Sequence, residues 1–131
     1  MPKLSTFFLF DGRAEEAVNL YVSLFPESSI SAIEKYGPEG PGKEGSVKLA
    51  QFVLNGASFM AIDSPVKHEF TFTPAVSVYV SCATEYEVTA LYGVLSEGGE
   101  VFMPLDAYPF SKKFAWISDR FGVSWQLAHE S

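Results

Sequence analysis

The chain has 131 residues, 47% hydrophobic, 15% aromatic and only 19% charged, enough apolar material for one domain with a real core and too much for a disordered chain. Nine basic against 16 acidic residues give a net charge of −7, with no basic cluster beyond Lys112-Lys113, so nucleic-acid backbones and other polyanions are disfavoured partners. The single cysteine, Cys82, excludes an intramolecular disulfide and a cysteine-based zinc site, and no apolar run approaches the roughly 18 residues of a membrane span.

Residues 4–10 read as a buried strand, stopped by Asp11-Gly12. Met1-Pro2-Lys3 leads into only seven residues before that turn, which is not a secretory signal, so a cytoplasmic location is the expectation. Ala14, Ala17, Val18, Tyr21, Leu24 and Phe25 follow helical spacing, and Pro26 ends the helix. A strand over 29–36 precedes the turn-rich segment 37–42. Strands over 46–54 and 57–62 flank Asn55-Gly56, a strong hairpin signal. Residues 63–73 form the join.

The second half opens with a strand over 74–82. Thr84 stands three residues before Glu87, a capping-box signature, and Val88, Leu91, Tyr92 and Leu95 make a helical stripe closed by Gly98-Gly99. A short strand over 100–103 and a loop over 105–113, carrying Tyr108 and Phe110, follow. Strands over 114–118 and 123–128 flank a turn at Asp119-Arg120-Phe121-Gly122.

The order strand, helix, strand, strand, strand therefore occurs twice. Residues repeat with it: Glu16, Leu20, Tyr21 and Leu24 recur as Glu87, Leu91, Tyr92 and Leu95, 71 positions later. Gly56-Ala57-Ser58-Phe59-Met60 is echoed by Gly122-Val123-Ser124-Trp125-Gln126, 66 positions later. A period near half the chain points to two copies of one module, 1–64 and 72–131, in an α+β fold.

Alternation sorts each strand into two faces. Over 74–82, Val76, Val78, Val80 and Cys82 should meet the helix, leaving Ser77, Tyr79 and Ser81 on the other side. Moving back 71 positions places Thr6, Phe8 and Phe10 with them. Phe59 and Trp125 read as core, so Met60 and Gln126 face the opposite way. The open sheet face is expected to carry Thr6, Phe8, Met60, Ser77, Tyr79 and Gln126.

Phe10-Asp11-Gly12, Ala14-Glu15-Glu16-Ala17, residues 21–26 and the closing run from Trp116 to Gln126 resemble the PhnB-like proteins, named as 3-demethylubiquinone 3-methyltransferase domains. These are members of the vicinal oxygen chelate superfamily, with glyoxalase I, bleomycin-resistance proteins and extradiol dioxygenases. The resemblance implies two βαβββ modules forming a cupped eight-stranded sheet with helices on the outer face, assembled as a homodimer. It also places the metal ligands of that superfamily at Thr6 and Met60, near Ala75 or Ser77, and at Gln126. None of these is His, Asp, Glu or Cys, so no metal is expected. The methyltransferase name finds no support either, because no Gly-rich turn links a strand to a helix for a nucleotide-type cofactor.

Among other residues, His68 in the join and His129 near the end read as solvated, and Cys82 as a small buried hydrophobe. Asp119 and Arg120 read as setting the last hairpin turn, and Glu15 and Glu16 as complementing a helix dipole. The aromatic segment 103–110 fits a lid or a dimer contact. The expected function is metal-independent binding of an apolar or aromatic small molecule, with no cofactor and no assigned catalytic residue. Phe8, Met60 and Tyr79 would hold the ligand, and Thr6, Ser77 and Gln126 would orient it. An enzyme with a non-standard site and a purely structural dimerisation module are the alternatives.

Overall fold

The computed structural model describes residues 2–130. The chain divides into two compact units, Met1–Thr71 and Phe72–Ser131. The first holds β1 (Thr6–Phe10), α1 (Ala14–Leu24), β2 (Ser29–Lys35), β3 (Val47–Leu54) and β4 (Ala57–Asp63). The second holds β5 (Ser77–Ser81), α2 (Glu85–Leu95), β6 (Glu100–Tyr108), β7 (Ser111–Ser118) and β8 (Ser124–His129). Each unit is a four-stranded sheet, in the orders β1-β4-β3-β2 and β5-β8-β7-β6, with the first and last strands of the unit parallel and the others antiparallel. The twice-repeated βαβββ order is present, with the eight strands shared equally between two sheets.

Beneath α1, Ala14, Ala17, Val18 and Tyr21 bury their stripe against β3 and β4. Phe8 meets Tyr21 at 6.3 Å and Phe59 at 5.7 Å between ring centroids, and Phe59 stacks on Phe52 at 5.4 Å. Several large aromatic side chains thus close one core, each burial contributing about 1.5–3 kcal/mol. In the second unit Val88 and Leu95 of α2 are buried, and the helix packs on β7 and β8, where Trp125, Ile117 and Leu127 are fully enclosed.

The two helices begin differently. Arg13, before α1, makes no side-chain cap; Asp63 at the end of β4 accepts the N–H groups of Gly12 and Ala14 at 2.9 Å and that of Val47 at 2.9 Å. One buried carboxylate, 3% exposed, thereby joins the helix start to β3. Ahead of α2, Thr84 and Glu87 form the expected capping box, and the Ala83 N–H also donates to Glu87 at 2.7 Å. His129 stands where the 66-residue offset puts the counterpart of Asp63, and its Nδ1 donates to the Cys82 carbonyl at 3.1 Å.

Asn55-Gly56 makes the expected hairpin turn, with both residues at positive φ (48° and 87°), a region glycine enters without penalty. Asp119 sets the last hairpin: its carboxylate accepts the Phe121 and Val123 N–H groups and the Trp125 indole N–H at 2.9–3.0 Å.

One expectation is overturned here. The segment 103–110 is not a loop, so it is not a free lid. Strand β6 runs through it to Tyr108, and only Pro109-Phe110 turn the chain into β7. Pro104 is tolerated because β6 is an edge strand, where a missing N–H breaks no ladder. Bulges between Val101 and Tyr108 blur the alternation that would have revealed the strand.

Candidate functional site

The first sheet does not present its residues as expected. In the parallel β1–β4 pair, Thr6 lies beside Phe59, Phe7 beside Met60, and Phe8 beside Ala61. Paired residues share a face, so Thr6 and Phe8 belong with Phe59 on the helix side. Phe8 is 6% exposed and packed against Tyr21, whereas Phe7 is 52% exposed. The expectation that Thr6 and Phe8 line the open face is therefore wrong; Phe7 and Met60 occupy it, with Gln51 next to Met60 on β3.

The physical reason is one residue of connector. Three residues, Asp11–Arg13, separate β1 from α1, but after the strand position matching Phe10, which is Cys82, only Ala83 and Thr84 precede α2. The helices repeat at 71 residues while the first strands repeat at 72, and a one-residue slip exchanges every side chain between faces. A repeated hydrogen bond confirms the offset: Ser5 to Ser58 at 2.7 Å in the first unit, Ser77 to Ser124 at 2.6 Å in the second.

The second sheet keeps its expected residues together. Ser77, Tyr79 and Gln126 share the open face, Ser77 beside Ser124 and Tyr79 beside Gln126. On its other flank Gln126 pairs with Trp116, which pairs with Met103. A row Tyr79–Gln126–Trp116–Met103 thus crosses the sheet. With neighbouring strands about 4.8 Å apart, the two rings are rooted about 10 Å apart, with the amide between them.

Both rings are tethered. The Tyr79 hydroxyl donates to the Glu130 carboxylate, and the Trp116 indole N–H donates to Ser124 Oγ at 2.9 Å. Phe102 leans on Trp116 at 5.2 Å. The half-buried Gln126 amide, in contrast, makes no hydrogen bond among the described residues. Trp116, Ser124 and Glu130 were not read as site residues from the sequence. Alternation in β7 could have found Trp116, but its partner depends on the hairpin register, in which Ser118 pairs with Ser124 and Trp116 with Gln126.

Two titratable groups on or near this sheet, Tyr79 and Cys82, are held neutral. The Tyr79 phenol, 48% exposed, is pushed up to about 12, first by its hydrogen bond to Glu130, then by burial and the Glu130 charge. Burial raises the Cys82 thiol to about 11, with the Glu87 charge adding to it, against a smaller lowering by the Ala128 hydrogen bond. Such a thiol is a poor nucleophile, in keeping with its reading as a small hydrophobe. The two histidines are not simply solvated: His68 contacts Ser64 Oγ at 2.9 Å and stacks on Phe70, and His129 is fixed to the Cys82 carbonyl.

A family profile, 3-demethylubiquinone-9 3-methyltransferase, matches residues 2–128. The chain belongs to this family. The PhnB protein of Bacillus cereus, provisionally named a 3-demethylubiquinone-9 3-methyltransferase, has a similar structure at 55% identity, covering 98% of this chain and 99% of that one, with a TM-score of 0.96. The protein PA1353 from Pseudomonas aeruginosa shares the fold at 24% identity, over 99% and 98% of the two chains, with a TM-score of 0.86. A manganese-bound fosfomycin resistance protein, FosX, from Listeria monocytogenes shares it more distantly, at 12% identity over 100% and 94%, with a TM-score of 0.60. A comparison with curated proteins gives no match.

In this PhnB-like chain the residues do not fit a divalent metal. The open-face positions of the first and last strands are Ser5, Phe7 and Met60 in one sheet and Ser77, Tyr79 and Gln126 in the other. Hydroxyls, a thioether and an amide do not make the set of deprotonated donors that such an ion requires. Among the described residues no three His, Cys, Asp or Glu side chains come together. A nucleotide-type cofactor fits no better, since Asp63, Thr84 and Glu87 already take the N–H groups at the helix starts that would hold its anionic part.

Proposed function

We propose that this PhnB-like protein is a metal-independent small-molecule binding protein, and that its ligand, apolar or aromatic, lies on the open face of the second sheet. The observation that carries the reading is the row Tyr79–Gln126–Trp116, in which two tethered rings flank an amide without a partner. The amide is open to solvent and spends its donors and acceptor on no protein group among the described residues, so between fixed rings it is free to bond a ligand. Rings already held in place lose little freedom on binding. Ser77 adds a hydroxyl on the same face, whereas Met60 lies beside Phe7 on the open face of the first sheet. Thr6 and Phe8 take no part.

A thermal-shift screen of aromatic metabolites and antibiotics on chelator-treated protein tests this. A ligand present at 100 times its Kd should add about 2.7 kcal/mol of stability. The increment should shrink in Gln126→Leu and Trp116→Ala. No stabilising compound, or stabilisation only after a divalent metal is added, would sink the reading. Chemistry at a non-standard site is not favoured, because Tyr79 and Cys82 are both held protonated near neutral pH and make poor bases or nucleophiles.

Two further parts of the proposal rest on the family resemblance and on composition. Homodimerisation would cover exposed apolar residues such as Phe7 and Val101, and sedimentation should then give twice 14.4 kDa. A cytoplasmic location suits a chain whose one cysteine is a free thiol. No described helix is long and apolar enough to cross a membrane.

A further inference from the structure

The hydroxyls beside the row have a direction. An indole N–H can only donate, so Ser124 Oγ accepts from Trp116. Ser124 is 2% exposed, and its other hydrogen-bond neighbour is Ser77 Oγ at 2.6 Å. Were Ser77 the donor in that pair, the Ser124 proton would be buried without an acceptor, an arrangement that folded proteins avoid. Ser124 therefore donates to Ser77. The chain runs from Trp116 N–H through Ser124 O–H to Ser77 O–H, and each bond polarises the next. The Ser77 proton then has no acceptor among the described residues and is available on the open face.

Ser77 sits diagonally across the β5–β8 pair from Gln126. With strands about 4.8 Å apart and a rise of about 3.3 Å per residue, side chains so placed are rooted about 8 Å apart, close enough for both to touch one small ligand. Ser77 supplies a donor. The Gln126 amide supplies both a donor and an acceptor. The rings of Tyr79 and Trp116 flank the amide.

We propose that the ligand is a flat ring carrying a carbonyl oxygen next to an N–H, a lactam or similar edge, with Ser77 donating to the carbonyl and the Gln126 amide oxygen accepting from the N–H. This rests on the proposed function above and assigns the chemical class for that site. Trp116 acts twice, as an aromatic wall and, through its N–H, as the residue that sets the direction of the hydroxyl chain.

The test uses the full chain and two probes of matched shape: isoquinolin-1(2H)-one, which carries the lactam edge, and naphthalene, which has no polar atom. Binding is read from quenching of Trp116 fluorescence, Trp125 being fully buried and bonded to Asp119. The lactam should bind at least about tenfold more tightly than naphthalene, from two added hydrogen bonds. Ser77→Ala and Gln126→Leu should each weaken the lactam about five- to tenfold and leave naphthalene unchanged. Trp116→Phe keeps a ring but removes the N–H; followed by ligand-detected NMR, it should also weaken only the lactam, whereas Ser77→Thr, which keeps the hydroxyl that Ser77→Ala removes, should retain most of the lactam binding. Equal affinity for the two probes, with variants that affect both alike, would overturn this inference and leave the proposed function standing. If neither probe bound a protein whose melting shows it folded, the proposed function would fall with it.

Discussion

Phe7 and Phe8 are neighbours of one residue type with opposite surroundings, one half in solvent and the other enclosed by Tyr21, Phe59 and Phe10. Phe8→Ala should therefore cost about 3–5 kcal/mol of stability by urea denaturation. Phe7→Ala should cost well under half as much. The reverse ranking would restore Phe8 to the open face. The alternation of β5 and β8 made Ser77, Tyr79 and Gln126 legible from sequence alone. Thr6 and Phe8 were misplaced only because the 71-residue helix offset was carried across a connector that differs by one residue. Tyr79 supplies a second check at this scale. Its phenol should ionise near pH 12 in an ultraviolet titration, and Glu130→Gln should bring it back toward its ordinary value of 10. Because the folded value is the raised one, the stabilising contribution is complete below about pH 10 and is lost as pH rises toward 12. An unchanged titration in the variant would show that Glu130 does not hold the ring.

At the scale of elements, the two modules start equivalent helices by different chemistry. The capping box before α2 is local and could be read from Thr84 and Glu87. The carboxylate that does the same work for α1 comes from Asp63, 49 residues beyond Ala14, and no local pattern announces it. Asp63→Ala would leave three N–H groups without their acceptor, two at the helix start and one at the head of β3. The expected loss is about 3 kcal/mol or more. Hydrogen exchange should show Gly12, Ala14 and Val47 losing protection first. The join between α2 and β6 makes a similar demand. A Cβ on Gly99 would overlap the Ser118 carbonyl, so Gly99→Ala should destabilise by about 1–3 kcal/mol even though alanine has the better helix and strand propensity. The continuation of strand β6 beyond Met103 escaped the sequence reading for physical causes that act together: an edge proline, three register shifts and aromatic side chains with uneven spacing. Tyr108, Phe110 and Phe114 pack on one another at 5.0–5.8 Å where β6 turns into β7, which is why a segment rich in turn formers is ordered as a hairpin.

For the whole molecule, duplication was the legible fact, because spacing survives when residue types drift. What drifted decides the function. Matching positions hold Phe7 and Tyr79, Met60 and Gln126, Gln51 and Trp116, so one open face has become largely apolar while the other combines aromatic rings with hydrogen-bonding groups. Neither retains donors for a divalent metal, and the net charge of −7 gives no general attraction for anions. The function therefore depends on whether the second face takes a ligand unaided. The most direct measurement is a ¹⁵N-edited NMR titration of the chelator-treated protein with a stabilising aromatic compound. The resonances of Ser77 to Ser81, Gln126 and the Trp116 indole N–H should shift in a saturable way, with Gly12, Ala14 and the rest of the α1 start unmoved. Shifts confined to other surfaces, or none until a divalent metal is supplied, would contradict the account.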